Sequence, residues 1–520
     1  MRVDDLTAAE PATGALARQA CAEREALGHP ARSWTGPAPR PVDGPTGTEA
    51  DDVLIVGAGQ SGVVIAAGLQ REGVHRVSVL DRAPAGEEGP WLTFARMREL
   101  RTPKELVGHE FGQPSLSLRS WFEARHGTEA WERVDRIPRT TWKAYLDWYA
   151  TVTGVTIENE TTVVDVRPAA RSGTPAPAVA ASLLAVDVEG PAGPVTRYAR
   201  TVVLATGFDG AGEWRVPAFV SDALPADRYH HSNGPIDFAA LAGRRIGILG
   251  HGASAFDNAI AALGAGAASV DLCFRRRRLP RVNPHRFLET GGVMTHYPSL
   301  SDETRWRVAH FFRSNDQPPP VPTFSRAMAL DGFRLRPATP WSSVELGGDE
   351  IVVTTPHGEF RYDHLILATG AIVDLTARAE LSSLAPVVAR WADRFNPPIG
   401  LEDERLAALP YLGWGYGFEP GPAARASGGV GVEDAASEAT AAWVRRVFAF
   451  NACSAVSHGP HSTSISGHRH ALPRLIRGVT HRLLLDVEGD LIDDLSTYRS
   501  DDLPVADDFE DQFLPTTMGM

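Results

Sequence analysis

Cysteine is scarce in this chain. Its 520 residues include three, Cys21, Cys273 and Cys453, far apart and in no Cys-x-x-Cys pair. That excludes a local dithiol redox motif and fits a reducing compartment, so a cytoplasmic location is the expectation. Positive charge is also in deficit. Against 64 Asp and Glu stand 51 Lys and Arg, a formal net charge of −13. This argues against a nucleic-acid binder and gives no reason to expect an anionic membrane surface as partner. The amino end, Met-Arg-Val-Asp-Asp, has no apolar signal core. One stretch, Val53 to Gln70, lacks charges at a length that invites a membrane reading. Its glycines, with Gln60 and Ser61, fit a buried strand, turn and helix instead. Apolar content of 43% and charged content of 22% are ordinary for a globular protein. The length exceeds one hydrophobic core and implies two or three domains.

What the chain does have is a repeated device. Asp52-Val-Leu-Ile-Val-Gly-Ala-Gly-Gln-Ser-Gly62 reads as a strand entering a glycine turn. Gly57 permits the tight bend, Gly59 lets backbone approach a pyrophosphate, and Gly62 lets helix and strand pack closely. A helix from Ser61 to Glu72 then aims its amino end at the phosphates. The next strand, Arg76 to Asp81, ends in a carboxylate roughly twenty residues on, placed to accept from a ribose hydroxyl. The second copy is Arg245-Ile-Gly-Ile-Leu-Gly250-His-Gly252-Ala-Ser254-Ala255. Alanine in the third position is permitted. Its second strand, Ala268 to Phe274, runs into Arg275-Arg276-Arg-Arg278. Guanidiniums bind a 2′-phosphate that a carboxylate would repel. The first site therefore reads as an FAD site and the second as an NADPH site. NADPH gives a hydride and a flavin accepts it. Where the electrons go next, to a protein partner or to O2, periodicity leaves open.

The fold class follows: α/β, with two Rossmann-like dinucleotide-binding domains, the FAD domain discontinuous and the NADPH domain inserted in it, plus a small antiparallel β meander. Residues 1–50, rich in Ala, Pro and Gly, read as a surface extension with a helical piece from Gly14 to Leu27 and a linker from Pro37 to Pro45. The FAD domain runs over 51–235 and returns over 366–520. The NADPH domain, with an irregular helical insertion, covers 236–365. The meander spans Thr156 to Val203, with turns at Ser172 to Pro177 and Gly190 to Pro194. Between Glu99 and Tyr149 the chain is helical and aromatic (Trp121, Trp131, Trp142, Tyr145, Trp148, Tyr149), which reads as core packing.

The chain resembles the class B flavin-dependent monooxygenases: flavin-containing monooxygenases, Baeyer–Villiger enzymes and amine N-hydroxylases. The resemblance covers Asp52 to Arg482. It rests on both glycine turns, on Leu204-Ala-Thr-Gly207 and Leu367-Ala-Thr369-Gly370, which in that family lie at domain seams, and on His230-His231-Ser-Asn-Gly234 before the second turn. It implies that one oxygen atom from O2 enters a small molecule through a flavin C4a-hydroperoxide, with NADP retained. No Phe-x-Gly precedes His231 at family spacing and Pro235 stands where an aromatic residue would be, so this motif does not support the Baeyer–Villiger label. Arg101-Thr102-Pro-Lys-Glu105 is similar to the family's Asn-x-x-Lys-Glu stretch on the flavin face, with Arg101 in the asparagine place. The resemblance thus puts Arg101 and His231 among catalytic candidates. It puts Thr102, Trp91 after Gly89-Pro90, Thr369 and His458 in the Ser457–Ser464 loop beside cofactor. The expectation leans to oxygenation of a nitrogen in an amine or amino acid. Baeyer–Villiger oxygenation of a ketone, or an NADPH–flavin reductase serving a protein partner, are the alternatives. A homo-oligomer is compatible with the sequence.

Overall fold

The computed structural model describes residues 11–41, 48–105, 108–169, 183–208, 210–425 and 435–499. The chain builds two sheets with parallel strands at their centre, each holding one of the glycine-turn strands. Strand β1 (Asp51–Val56) is buried over its four central residues, because helices cover both faces of a parallel sheet and leave no solvent side for polar alternation. It pairs in parallel with β2 (Val77–Leu80). The helix Gln60–Arg71 joins them. Two antiparallel strands, β3 (Thr162–Pro168) and β4 (Leu184–Gly190), then lead into the long β5 (Gly193–Gly207). The first half of β5 pairs with β4 and its second half with β1, so meander and parallel sheet share one strand. The hairpin between β4 and β5 lies at the expected Gly190–Pro194 turn. The expected Ser172–Pro177 turn falls outside the described residues.

The chain leaves this sheet through β6 (Gly212–Trp214). The second sheet is formed by β7 (Tyr229–His231), β8 (Arg245–Leu249), β9 (Ser269–Cys273), β10 (Phe333–Arg336) and a strand at His364–Leu367, in the order β10-β9-β8-(364–367)-β7, all parallel. A three-stranded antiparallel sheet, β11 (Ser343–Gly347), β12 (Glu350–Thr355) and β13 (Gly358–Tyr362), precedes β14, the His364–Leu367 strand. The return passes through β15 (Ala371–Val373), which pairs antiparallel with β6. The two crossings between the sheets are thus zipped to each other. Finally β16 (Val447–Asn451) joins the first sheet beside β5, and the twenty-residue helix His468–Val487 packs near the Gln60–Arg71 helix.

Two expectations change. The 51–235 boundary assigns Tyr229–His231 to the first unit, yet β7 is an edge strand of the second sheet. Three residues carry too little periodicity to declare their partner. The amino-terminal arm is not a surface extension over its helix, Pro11–Ala26. Ala17 and Ala20 are fully buried in the main core beside Leu116, Leu118 and Trp121. Small alanines fit a close helix approach but carry a weak amphipathic signal. The aromatic residues from Trp121 to Tyr149 all lie in that same core.

Candidate functional site

Each sheet presents its glycine turn at the carboxyl end of one parallel strand, β1 in the first and β8 in the second. Gly57 has φ +98°, and a Cβ there would stand 2.7 Å from the Ala205 carbonyl oxygen. A Cβ on Gly62 would meet the Gly57 oxygen at 1.8 Å. Both positions therefore exclude any side chain. Gly59 caps the following helix with no side-chain acceptor, so the first helical N–H groups are left for a ligand. Gly59 and Gly89 lie against each other, with a Cβ on Gly59 falling 3.5 Å from the Gly89 Cα. In the neighbouring residues, the buried Gln60 Oε1 and Trp91 Nε1 have no hydrogen-bond partner. Asp81 accepts from the Ala58 N–H at 2.7 Å and from the Ala83 N–H at 2.8 Å. One bond per carboxylate oxygen leaves each a further acceptor site for a ribose. Bare helix end, side-chain-free turn and orphaned polar atoms fit a bound dinucleotide.

The second turn repeats the device. Gly250 has φ +134°, and its Cβ would strike the Ala368 oxygen at 2.3 Å. A Cβ on Gly252 would meet nothing within 4 Å. Gly252 too caps its helix, Ala253–Gly264, without a side-chain bond, and Ser254 sits in that helix's first turn. Beyond β9, Arg275 is exposed. Arg276 is held by Asp316 at 2.7 Å and by the Ser314 carbonyl. The Asp316 carboxylate also stands 3.2 Å from His251 Nε2 in the turn itself. Of the arginine run, Arg276 is thus partly neutralised before any phosphate arrives.

The seam joins the two. Leu204-Ala-Thr-Gly207 ends β5, and Leu367-Ala-Thr-Gly370 leaves β14. Thr369 Oγ1 donates to the Arg215 carbonyl. His231 Nε2 donates to the Gly370 carbonyl at 3.0 Å, and its Nδ1 accepts from the Asn233 N–H. The ring stacks on Trp214 of β6 at 4.9 Å. Burial lowers its pKa to about 4, which keeps it neutral. Both nitrogens are occupied, so His231 clamps the ribbon between sheets.

Arg101 is not paired with Glu99 or Glu105. Its guanidinium meets Asp257 at 2.8 Å, on the helix behind the second turn. Glu99 instead pairs with Arg326 at 3.1 Å. The Arg101 carbonyl accepts from Arg136 and Arg286. The loop expected on the flavin face is therefore tied to the second unit by two ion pairs. Thr102 lies half-buried beside it.

Sequence reading missed a buried chain beneath the first turn. Ser61 Oγ lies 3.1 Å from His468 Nε2, and His468 Nδ1 lies 2.7 Å from His109 Nε2. Burial holds both histidines neutral, His468 at about 3 and His109 well below its usual value. The pairs span 407 and 359 residues, a separation with no local signature. His458 stacks on Tyr416 at 3.6 Å and 9°. It lines a cleft with Tyr297, Gly467 and Arg474.

This geometry has relatives. A family model described as FAD-NAD(P)-binding matches residues 54–209, the first turn through β5. The FAD-dependent urate hydroxylase of Xanthomonas campestris pv. campestris is 43% identical over 460 residues, which is 88% of this chain and 90% of that protein. The ornithine hydroxylase of Pseudomonas aeruginosa shares the fold at TM-score 0.63 and 17% identity, over 84% of this chain and 100% of that one. The L-lysine 6-monooxygenase of Pseudomonas syringae does so at TM-score 0.59 and 18% identity, over 83% and 99%. Two dinucleotide cradles facing a shared seam define an NADPH-dependent flavoprotein. The chain belongs to the family of the FAD-dependent urate hydroxylase, a flavin monooxygenase with FAD and NADPH as cofactors and O2 and a small molecule as substrates. Among the described residues, no helix is long and apolar enough to cross a membrane.

Proposed function

We propose that this protein hydroxylates urate or a closely related oxidised purine. The observation that carries this reading is 43% identity across 88% of the chain to a urate hydroxylase. Bound FAD and NADPH would supply the two electrons with which O2 is split, one oxygen atom going to the substrate and the other to water. Gly57, Gly59, Gly62 and Asp81 hold the FAD pyrophosphate and ribose, with Trp91 and Thr102 at the flavin end. Gly250, Gly252 and Ser254 hold the NADPH pyrophosphate, and Arg275 with Arg276 reads its 2′-phosphate. Thr369 and His231 fix the seam between the cradles. Because both His231 nitrogens are spent on backbone, its role is to position the ribbon rather than to move a proton. Arg101, held by Asp257, couples the flavin-side loop to the NADPH-side helix. The FAD unit is 51–228 with its return after 370, and the NADPH unit is 229–370, a boundary supported by the pairing of β7 with β14.

The test is NADPH consumption by the FAD-loaded enzyme with urate present, alongside urate loss and hydrogen peroxide release. Urate loss matching NADPH oxidation is expected. NADPH oxidation that ends wholly in peroxide, whatever the urate concentration, refutes the reading. A second reading, oxygenation of an amine nitrogen, is favoured by the incomplete motif around His231. Ornithine, lysine and cadaverine in the same assay decide it.

A further inference from the structure

Arg215 follows β6 directly, on the ribbon between the sheets. Its N–H donates to the Gly370 carbonyl at 2.9 Å, and its own carbonyl accepts from Thr369 Oγ1. The backbone is therefore fixed on both sides, at the carbonyl that His231 also binds. The side chain is half-buried and, among the described residues, has neither a hydrogen-bond acceptor nor a carboxylate partner. Partial burial, then the fields of Arg405, Arg275 and Arg313, hold its pKa below the usual value. A partly desolvated cation among other cations costs free energy, which a bound anion offsets.

A continuous set of contacts places the neighbours. Arg276, at the end of β9, bonds the Ser314 carbonyl and Asp316. One residue before Ser314, Arg313 pairs with Asp403 at 2.6 Å. Asp403 in turn accepts from the Arg405 N–H at 2.9 Å. Asp316 reaches back to His251 of the second glycine turn at 3.2 Å. Guanidiniums from four parts of the chain thus gather beside that turn. Arg276 and Arg313 are spent on carboxylates. Arg275 and Arg405 are exposed, and like Arg215 they have no carboxylate partner among the described residues. The coenzyme's pyrophosphate is served by the bare helix end at Gly252. The uncompensated charge lies instead by the strand end after β9, where a 2′-phosphate is read.

We propose that Arg215 determines coenzyme specificity together with Arg275, its guanidinium pairing with the 2′-phosphate of NADPH. The proposal rests on the reading of Arg275 as the phosphate-binding residue of this strand end and deepens it. A phosphate monoester carries about −1.5 to −2 charge near neutral pH and three acceptor oxygens, enough for two guanidinium forks at once. NADH, with a hydroxyl in that place, leaves both guanidiniums unpaired. The ribbon thereby gains a second duty. The residue that meets the coenzyme's phosphate hangs from the same Gly370 carbonyl as His231, so phosphate binding and the seam share one support.

The experiment is equilibrium binding to the FAD-loaded enzyme, by calorimetry, of NADP+ against NAD+ and of adenosine 2′,5′-bisphosphate against AMP. Each pair differs only by the 2′-phosphate. The natural protein, Arg215→Met, Arg215→Lys and Arg275→Ala are compared, with visible-region circular dichroism of the flavin as the check on folding. We expect R215M to weaken NADP+ and the bisphosphate about tenfold or more, the scale of a charge-assisted hydrogen bond, and to leave NAD+ and AMP little changed. R215K keeps the charge and loses the fork, so its NADP+ affinity should fall between those of R215M and the natural protein. If R215M does not fold, R215K carries the test through the same selective loss. Unchanged NADP+ binding, or an equal loss for NADP+ and NAD+, overturns the proposal; the equal loss is what a residue that merely holds the ribbon would give. R275A separates the two ideas. A selective loss in R275A with R215M silent sinks Arg215 and leaves the reading of Arg275 standing. A selective loss in R215M with R275A silent does the reverse.

Discussion

Replacing Arg101 with methionine should destabilise this protein more than replacing its partner Asp257 with asparagine, and by an amount that depends on pH. The two ends of the pair are unequally buried: the Arg101 side chain is 37% exposed and that of Asp257 is 5% exposed. R101M strands a carboxylate in the interior, a change that costs about 3–5 kcal/mol. D257N strands a guanidinium that can turn to water, which costs roughly 1–2 kcal/mol. Burial already raises the Asp257 pKa, and Arg101 opposes that rise. Without Arg101 the folded-state value climbs further above the unfolded one. The folded state then takes up its proton more readily than the unfolded state, so the penalty is full above the folded pKa and is relieved as pH falls through it. The R101M deficit should therefore be largest at pH 8 and smaller at pH 5.5, while that of D257N stays level. The double variant should be more stable than R101M alone at pH 8. Urea unfolding at the two pH values, followed by circular dichroism and flavin fluorescence, measures all three. Equal losses for the two single variants, or a pH-independent deficit in R101M, would show that the pair does not hold the loop as described.

The two glycines of the first turn should part company. Gly62→Ala places a Cβ 1.8 Å from backbone and should yield no folded yellow protein, whereas Gly59→Ala, with 3.5 Å to its nearest neighbour, should fold yet bind FAD more weakly; equal flavin content in both contradicts the cradle. Arg275→Ala should raise the NADPH KM about tenfold or more with little change for NADH. Because Arg276 is shared with Asp316, Arg276→Ala should cost less, and Asp316→Asn should lower the NADPH KM; steady-state kinetics with both coenzymes tests the three together. His231, His285 and His364 are each lowered to about 4 by burial, from 6.5. Depressed folded values mean stability that is complete above pH 6.5 and is lost as pH falls toward 4. Thermal melts from pH 8 to 4.5 should show that decline, and a flat profile would refute it.

Most of the architecture was legible because its signals are local. Each cradle needs glycine at fixed offsets, a strand before and a helix after, and an informative residue at the next strand end. All of these lie within one βαβ unit. The meander, too, declares itself by its Gly190–Pro194 turn. The failures share a cause. The Pro11–Ala26 helix packs through small alanines, which leave little periodic trace. β7 is three residues long and owes its place in the second sheet to β14, far along the chain. The Arg101 partner, Asp257, is on another unit, where no local pattern points to it. The cleft beside His458 gathers residues from 288–297, from 416 and from 458–474, a grouping that exists only in three dimensions.

The β6–β15 ribbon has a consequence for how such a molecule can be assembled. Gly212 and Val373 are direct partners in that ribbon, which puts their Cα atoms about 5 Å apart. Everything between them enters and leaves through one doorway, so the outer unit needs only a tight turn to close without it. Its folding entropy is nearly indifferent to the length of what is inserted. Chain closure therefore adds little to the coupling of the two units, which is left to side-chain contacts such as Arg101–Asp257 and Arg326–Glu99.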